Sequence, residues 1–288
     1  MKATKILLCI IFVICFTTSH AQQDSTHRLK PLLIGTGIAY TGALVGLNQL
    51  WYKDFERESF HFFNDHKEWK QMDKVGHFYA AFQLSFGGYR ALRWANVTED
   101  KSIFWGTIFS AIVLTPIEVF DGFSTAYGAS YSDVIANTAG ASFFYLQQRK
   151  WGEIRIHPKF SFHSTSFPSS RPELLGEGLL EEVFKDYNGQ TYWLSFDLSK
   201  LINGNFPKWL NVAIGYSANN MVAAHDDQSE SLGFSPQRQV FFAIDFDLNE
   251  YKFHSKLLNT LIYLVNMVHL PAPTLEFSDK LKFHFAYY

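Results

Sequence analysis

The chain has 288 residues, with 25 Lys and Arg against 27 Asp and Glu, and 17% of it is aromatic. A net charge of -2 and the lack of any basic stripe argue against nucleic acid as a partner. Its two cysteines, Cys9 and Cys15, both precede Ala21, so a chain cut there has no disulfide, thiolate nucleophile or cysteine-ligated zinc.

Lys2 and Lys5 give a basic start, Ile6 to Phe16 an apolar run, and Ser19-His20-Ala21 a small-x-small cleavage site. Residues 1–21 are therefore predicted to be a signal peptide, and the protein to be exported to the periplasm or a membrane, inner or outer. Leu8 and Ile14 precede the cysteines where a lipid-acceptor site needs a small residue, so lipidation is not expected. The remaining length, about 265 residues, suits one large domain or two smaller ones.

Pro31 to Tyr52 carries no charged side chain, ends in Trp51-Tyr52, and is long enough to span a bilayer. Val75 to Tyr89, Ser102 to Ile117 and Val134 to Gln148 are also free of Asp, Glu, Lys and Arg, but shorter. They read either as tilted membrane helices with polar ends or as helices of a buried bundle. Ala136-x-x-x-Gly140 is a small-xxx-small pair that lets helix backbones approach. A membrane-associated bundle of about four helices is predicted over 31–151, with membrane lipid as its partner.

Past Trp151 the period changes to two. Tyr192, Leu194 and Phe196 alternate with Ser195 and Asp197, and Leu210, Val212, Ile214 and Tyr216 repeat the pattern. Five strands are legible: Ile154 to Thr165, Thr191 to Leu201, Trp209 to Val222, Arg238 to Leu248 and Leu281 to Tyr288. Helices are expected at Pro172 to Phe184 and Ser255 to Val268, the latter stopping at Pro271-Ala272-Pro273. The class is α+β, with residues 152–288 forming a small antiparallel sheet with one or two helices. Five strands fall short of the eight of the smallest common membrane barrels, so a small periplasmic sheet is the expectation and a barrel the alternative.

The polar residues of the helical part carry the functional argument. Asp73 and His77 are i and i+4, Glu118 and Asp121 i and i+3, Asp133 and Asn137 i and i+4, so each pair shares a helix face. The first pair begins a helix, the second ends one and the third begins another, so an up-and-down bundle brings all three to one end. His77 with Asp73, Glu118, Asp121 and Asp133 could hold a divalent cation whose bound water attacks an ester or phosphoester. Without metal, His77 could act as base toward Ser124, Ser130 or Ser132. The plain alternative is a polar plug in which Lys74 or Arg90 neutralises a carboxylate and Asn137 links two helices. Metal identity and cofactor stay open. The histidines of the β part, His157 and His269 among them, show no paired ligand spacing and read as surface or strand residues.

Asp73-Lys74-x-x-His77-Phe78, Glu118-x-x-Asp121-Gly122, Gly128-x-Ser130-x-x-Asp133 and Asn137-x-x-Gly140 together resemble the YfiM family of predicted periplasmic lipoproteins over about Asp73 to Trp151. Lys185 to Ser195 and Pro271 to Glu276 resemble its longer members from Bacteroidetes. The order Asp-Lys-x-x-His, acidic residue, Asp-x-x-x-Asn-x-x-Gly is similar, more loosely, to VanZ-like membrane proteins. The resemblance adds Ser130 and Gly140 to the site and implies an envelope location but no reaction. The expected function is a structural or ligand-holding envelope module. The alternative is a hydrolase or transferase acting on envelope lipid or polyprenyl phosphate.

Overall fold

Helices come first and strands second in the computed structural model, which describes residues 25–49, 55–202 and 204–288. The predicted signal peptide and Trp51-Tyr52 lie outside the described residues. Two compact units result: one takes in the chain up to Asn64 with Leu84–Arg149, the other Asp65–Gln83 with Lys150–Tyr288. The α+β class stands.

The first unit is built on α1 (Ser25–Leu47), the C-terminal part of α2 (Met72–Trp94), α3 (Glu99–Asp121) and α4 (Tyr131–Trp151). Glu99 and Asp100 in the first turn of α3 complement its positive end. Contact between α2 and α3 is made through glycine: a Cβ on Gly106 would sit 2.6 Å from the Tyr89 nitrogen and 2.9 Å from the Ser85 carbonyl. Only a side chain of hydrogen lets the backbones meet this closely. Phe144 of α4 fills the space beside Phe86 and Tyr89, with ring centroids 5.9 and 5.7 Å away. A short parallel bridge joins β1 (Phe62–Phe63) to β2 (Ala129–Ser130). α1 touches this unit through Tyr40, whose hydroxyl donates to the Val113 carbonyl at 2.9 Å, while Leu33, Ile34 and Ile38 stay exposed. From His27 to Leu47, and along α3, the chain is long and apolar enough to cross a membrane.

The second unit is a six-stranded antiparallel sheet in chain order: β3 (Ile156–Phe162), β4 (Gln190–Asp197), β5 (Leu210–Asn219), β6 (Gln237–Phe246), β7 (Ala272–Phe277) and β8 (Leu281–Tyr287). Five strands were legible; the sixth is β7, hidden behind Pro271 and Pro273. Pro273 lies in β7 with its side chain exposed, while Thr274 and Glu276 point inward and Leu275 and Phe277 outward. The segment read as one helix from Pro172 is two short ones, Pro172–Leu175 and Leu179–Lys185, broken by Gly176 at φ +98° and Gly178 at φ +83°. α5 (Lys256–Asn266) follows the predicted helix, capped by the Ser255 hydroxyl accepting from the Leu258 amide.

This sheet curls tightly. At about 4.8 Å per strand, β8 would stand roughly 19 Å from β4 in a flat sheet. Yet the Tyr287 hydroxyl lies 3.3 Å from the Thr191 hydroxyl. On the far edge, the Phe160 amide donates to the Met267 carbonyl and the His269 amide to the Phe160 carbonyl, at 3.0 and 2.9 Å. Three residues later β7 begins, and three residues reach about 10 Å at most. The outer edge of β3 is thus met by the chain leading into β7. An irregularity between Ala272 and Thr274 shifts the register, pairing Thr274 with His284 but Ala272 with Tyr287. That bulge carries Tyr287 off the face of Phe283 and Phe285 and stacks it on Phe241 at 4.5 Å.

A water-soluble sheet buries its apolar face; this one buries its polar face. Ser195, Asn211, Asp245, Thr274 and Glu276 are buried, whereas Val212, Ile214, Phe242, Ile244 and Phe277 are exposed. Trp193 and Phe241 are large apolar groups inside, and Gly215 makes room for the first: a Cβ there would lie 2.6 Å from the indole ring.

Candidate functional site

The start of α2 holds Asp73, Lys74 and His77 on one turn. The Asp73 carboxylate accepts from the Tyr187 hydroxyl at 3.0 Å on one oxygen and from Lys74 Nζ at 2.8 Å on the other. Lys74 Nζ also donates to Asp65 at 2.6 Å, so it bridges two carboxylates. His77 Nε2 is 3.6 Å from Asp73 Oδ1. Burial alone would raise the Asp73 pKa, but the charges of His77 and Lys74 and the hydrogen bonds from Lys74 and Tyr187 overcome it and hold the group down at about 2. Asp73 is a fixed anion, poorly suited to taking up protons near neutral pH.

A cavity of about 520 Å³ adjoins this turn, bounded by Lys74, Val75, Phe78 and Tyr79 of α2 and by strands β3 to β6, including Tyr192 and Ile214. Its wall is almost wholly apolar. Gly76 is tight against Tyr192, whose hydroxyl would be 2.8 Å from an added Cβ.

The other predicted residues lie in the helical unit. Glu118, 5% exposed near the end of α3, accepts from Asn137 Nδ2 of α4 at 3.5 Å, so two helices are linked through them. Ser130 is no free nucleophile: its hydroxyl accepts from the Asp133 amide at 3.1 Å, capping α4, and meets the Ser132 hydroxyl at 2.8 Å. Asp133 is buried in that first turn and Gly140 in the next stretch of α4. Asp121 ends α3; burial first, and then the Asp121 charge, push the nearby Tyr127 phenol up to about 12. The loop to Asp133 is pinned from outside: His61 contacts the Tyr127 carbonyl at 2.7 Å, and the Glu58 amide donates to the Phe123 carbonyl at 3.0 Å.

Sequence reasoning missed Asp65 and Tyr187, the outer partners of Lys74 and Asp73. Tyr187 stands in the Lys185–Ser195 stretch already quoted for its resemblance, so a signal existed; Asp65 had none. Also missed was the polar interior of the sheet. Lys159, 1% exposed, places Nζ 2.7 Å from Asp245 Oδ2, and Asp245 Oδ1 is 3.1 Å from His269 Nδ1. His269 is stacked on Trp193 at 3.9 Å. At one rim, Asp197, Asp247 and Glu250 come close enough to hold a cation. The Lys200 ammonium stands there, 2.7 Å from Asp197 and from Glu250. Burial would lower the Lys200 pKa, but its acidic partners raise it, so the cluster already has its cation.

These features define a class: a helical domain with small-residue packing and paired acid and base groups, followed by an inverted sheet. Residues 61–149 match the model of a family described as predicted periplasmic lipoprotein (DUF2279). The YfiM-like resemblance fits this family, and the match begins twelve residues before Asp73. It supports an exported, periplasmic protein of the cell envelope; the description carries a place and no reaction. No curated protein and no solved structure matches the chain.

Proposed function

We propose that this protein is a membrane-associated structural module of the envelope that holds an apolar ligand beside a fixed polar turn. One observation carries the reading: both oxygens of Asp73 are taken, by Tyr187 and Lys74, and Lys74 is itself shared with Asp65. A carboxylate held at both oxygens and kept ionised down to about pH 2 is a poor general base near neutral pH. A carboxylate bound at each oxygen serves instead to fasten α2 to its neighbours. The Glu118–Asn137 pair does the same work between α3 and α4, and the Ser130 hydroxyl caps the start of α4. The apolar cavity beside Lys74 supplies the ligand-holding part, with room for a hydrocarbon chain.

His77→Ala and Glu118→Ala test this. Each is expected to cost about 1–3 kcal/mol by leaving buried partners unsatisfied. At roughly 2–4 °C per kcal/mol, that lowers the thermal midpoint in detergent by about 2–12 °C. Loss of complementation in a deletion strain, scored by envelope leakage, should follow stability. Wild-type stability with lost complementation would overturn the reading in favour of a hydrolase or transferase of envelope lipid or polyprenyl phosphate.

A further inference from the structure

We infer that the outer face of the curled sheet, from β5 to β8, is a lipid-facing wall seated in the hydrocarbon of a phospholipid bilayer. This rests on the proposed membrane association and deepens it by naming the surface and what covers it.

The middle of the face is apolar, with Arg238 at the start of β6 turned to the Tyr216 hydroxyl and Gln71 at its edge. Val212 and Ile214 on β5, Phe242 and Ile244 on β6, Phe277 on β7 and Phe285 on β8 all point outward and are exposed. No charged side chain joins the outward positions of β5, β6 or β7 between Leu210 and Tyr216, Val240 and Phe246, or Pro273 and Phe277. On β8 the charged Lys282 turns in to Glu276, at 3.0 Å. A contiguous apolar patch of this kind on a protein surface marks an interaction site.

This face is no misplaced core, because the opposite face is buried and holds the ion pair and hydrogen bonds of the sheet. Lys159 on β3 reaches Asp245 on β6 across the interior, Asn211 donates to the Ser195 hydroxyl at 2.9 Å, and Trp193 Nε1 donates to the Ser161 hydroxyl at 2.9 Å. Polar groups inside and apolar groups outside is the order of a membrane strand. β5 and β6 have ten residues each, the length that crosses a bilayer.

One end of the wall is furnished for headgroups. Trp209 stacks on Phe246 at 5.9 Å, Tyr251 and Phe253 are exposed, and Lys208, Lys252 and Lys256 stand exposed beside them. Aromatic rings with flanking lysines match an interface bearing anionic phosphates. The wall continues into α5, whose Leu257, Leu261, Leu264 and Val265 are exposed. A protein partner would need neither the aromatic rim nor strands of this length.

The test is site-directed spin labelling of the full chain, with Cys9 and Cys15 replaced by alanine, in phosphatidylcholine–phosphatidylglycerol vesicles. Single cysteines are placed at Ile214, Phe242 and Phe285, with Lys208 as rim control and Leu33 on α1 as an independent probe. Phe285 is 84% exposed, so its replacement disturbs no packing and keeps the test decisive if a strand-centre variant fails to fold. Labels at 214, 242 and 285 should be relaxed by oxygen and shielded from a water-soluble nickel chelate, with 208 at headgroup depth. Chelate access at those three sites with Leu33 in lipid would overturn the wall and leave membrane association standing. Chelate access at Leu33 as well would overturn both. Spin–spin broadening at 214 and 242, removed by dilution with unlabelled protein, would show a second copy on the face and overturn the inference.

Discussion

The helical unit and the sheet unit both hide polar groups and show apolar ones, but by different means. In the helical unit small residues do it: Gly106, Ser85 and Ser110 bring backbones together, and Phe104, Trp105 and Ile112 are left outside. In the sheet unit curvature does it, since a curled sheet has a small inner face that a few charged groups can fill. Close packing tolerates no added volume, whereas a curled polar interior tolerates no missing charge. The two units should therefore fail in different ways when altered.

The largest effect is expected inside the sheet. Lys159→Ala leaves Asp245 buried without its cation and should cost about 3–5 kcal/mol, seen as a lower denaturant midpoint. Adding Asp245→Leu to it should recover most of that loss; no recovery would show that the pair does more than balance charge. In the helical unit, Gly106→Leu forces side-chain atoms into Tyr89 and Ser85 and should cost about 1–3 kcal/mol or more. If Gly106→Leu were neutral, the backbone approach of α2 and α3 would not be what holds that unit.

Acid acts next on the second unit, which includes Asp73. The pKa of Asp73 is depressed, so its contribution is complete above the unfolded value of about 3.9. It is lost as pH falls toward about 2. Asp73→Asn should flatten the stability curve between those limits and leave it unchanged in slope near pH 7, as read by thermal melts across pH. The smallest effect belongs to Ser255→Ala, which removes the α5 cap and should cost about 1 kcal/mol. It should show mainly as faster amide exchange near Leu258.

Much of the helical unit was legible because its polar residues interrupt long charge-free runs. The starts of α2 and α4 and the end of α3 follow from where Asp73, Asp133 and Asp121 stand. The roles of those residues were not, since Tyr187 approaches Asp73 from 114 positions away. The alternation of β4, β5 and β6 was equally plain, but a period of two does not say which face is wet. Charged Lys159, Asp245 and Glu276 would suit a wet outer face, and only curvature brings these three strands' charges together inside. β7 was lost to two prolines, although Thr274, Leu275, Glu276 and Phe277 alternate as well as any strand.

The bulge between β7 and β8 has a mechanical consequence. By turning Tyr287 inward against Phe241 and Thr191, it drives a rigid ring into the hollow of the sheet like a wedge holding an arch open to one radius. The ring thus fills the hollow at the point where β8 comes nearest to β4. Whatever displaces the segment after Lys282 therefore also removes the Tyr287 ring from between Phe241 and Thr191.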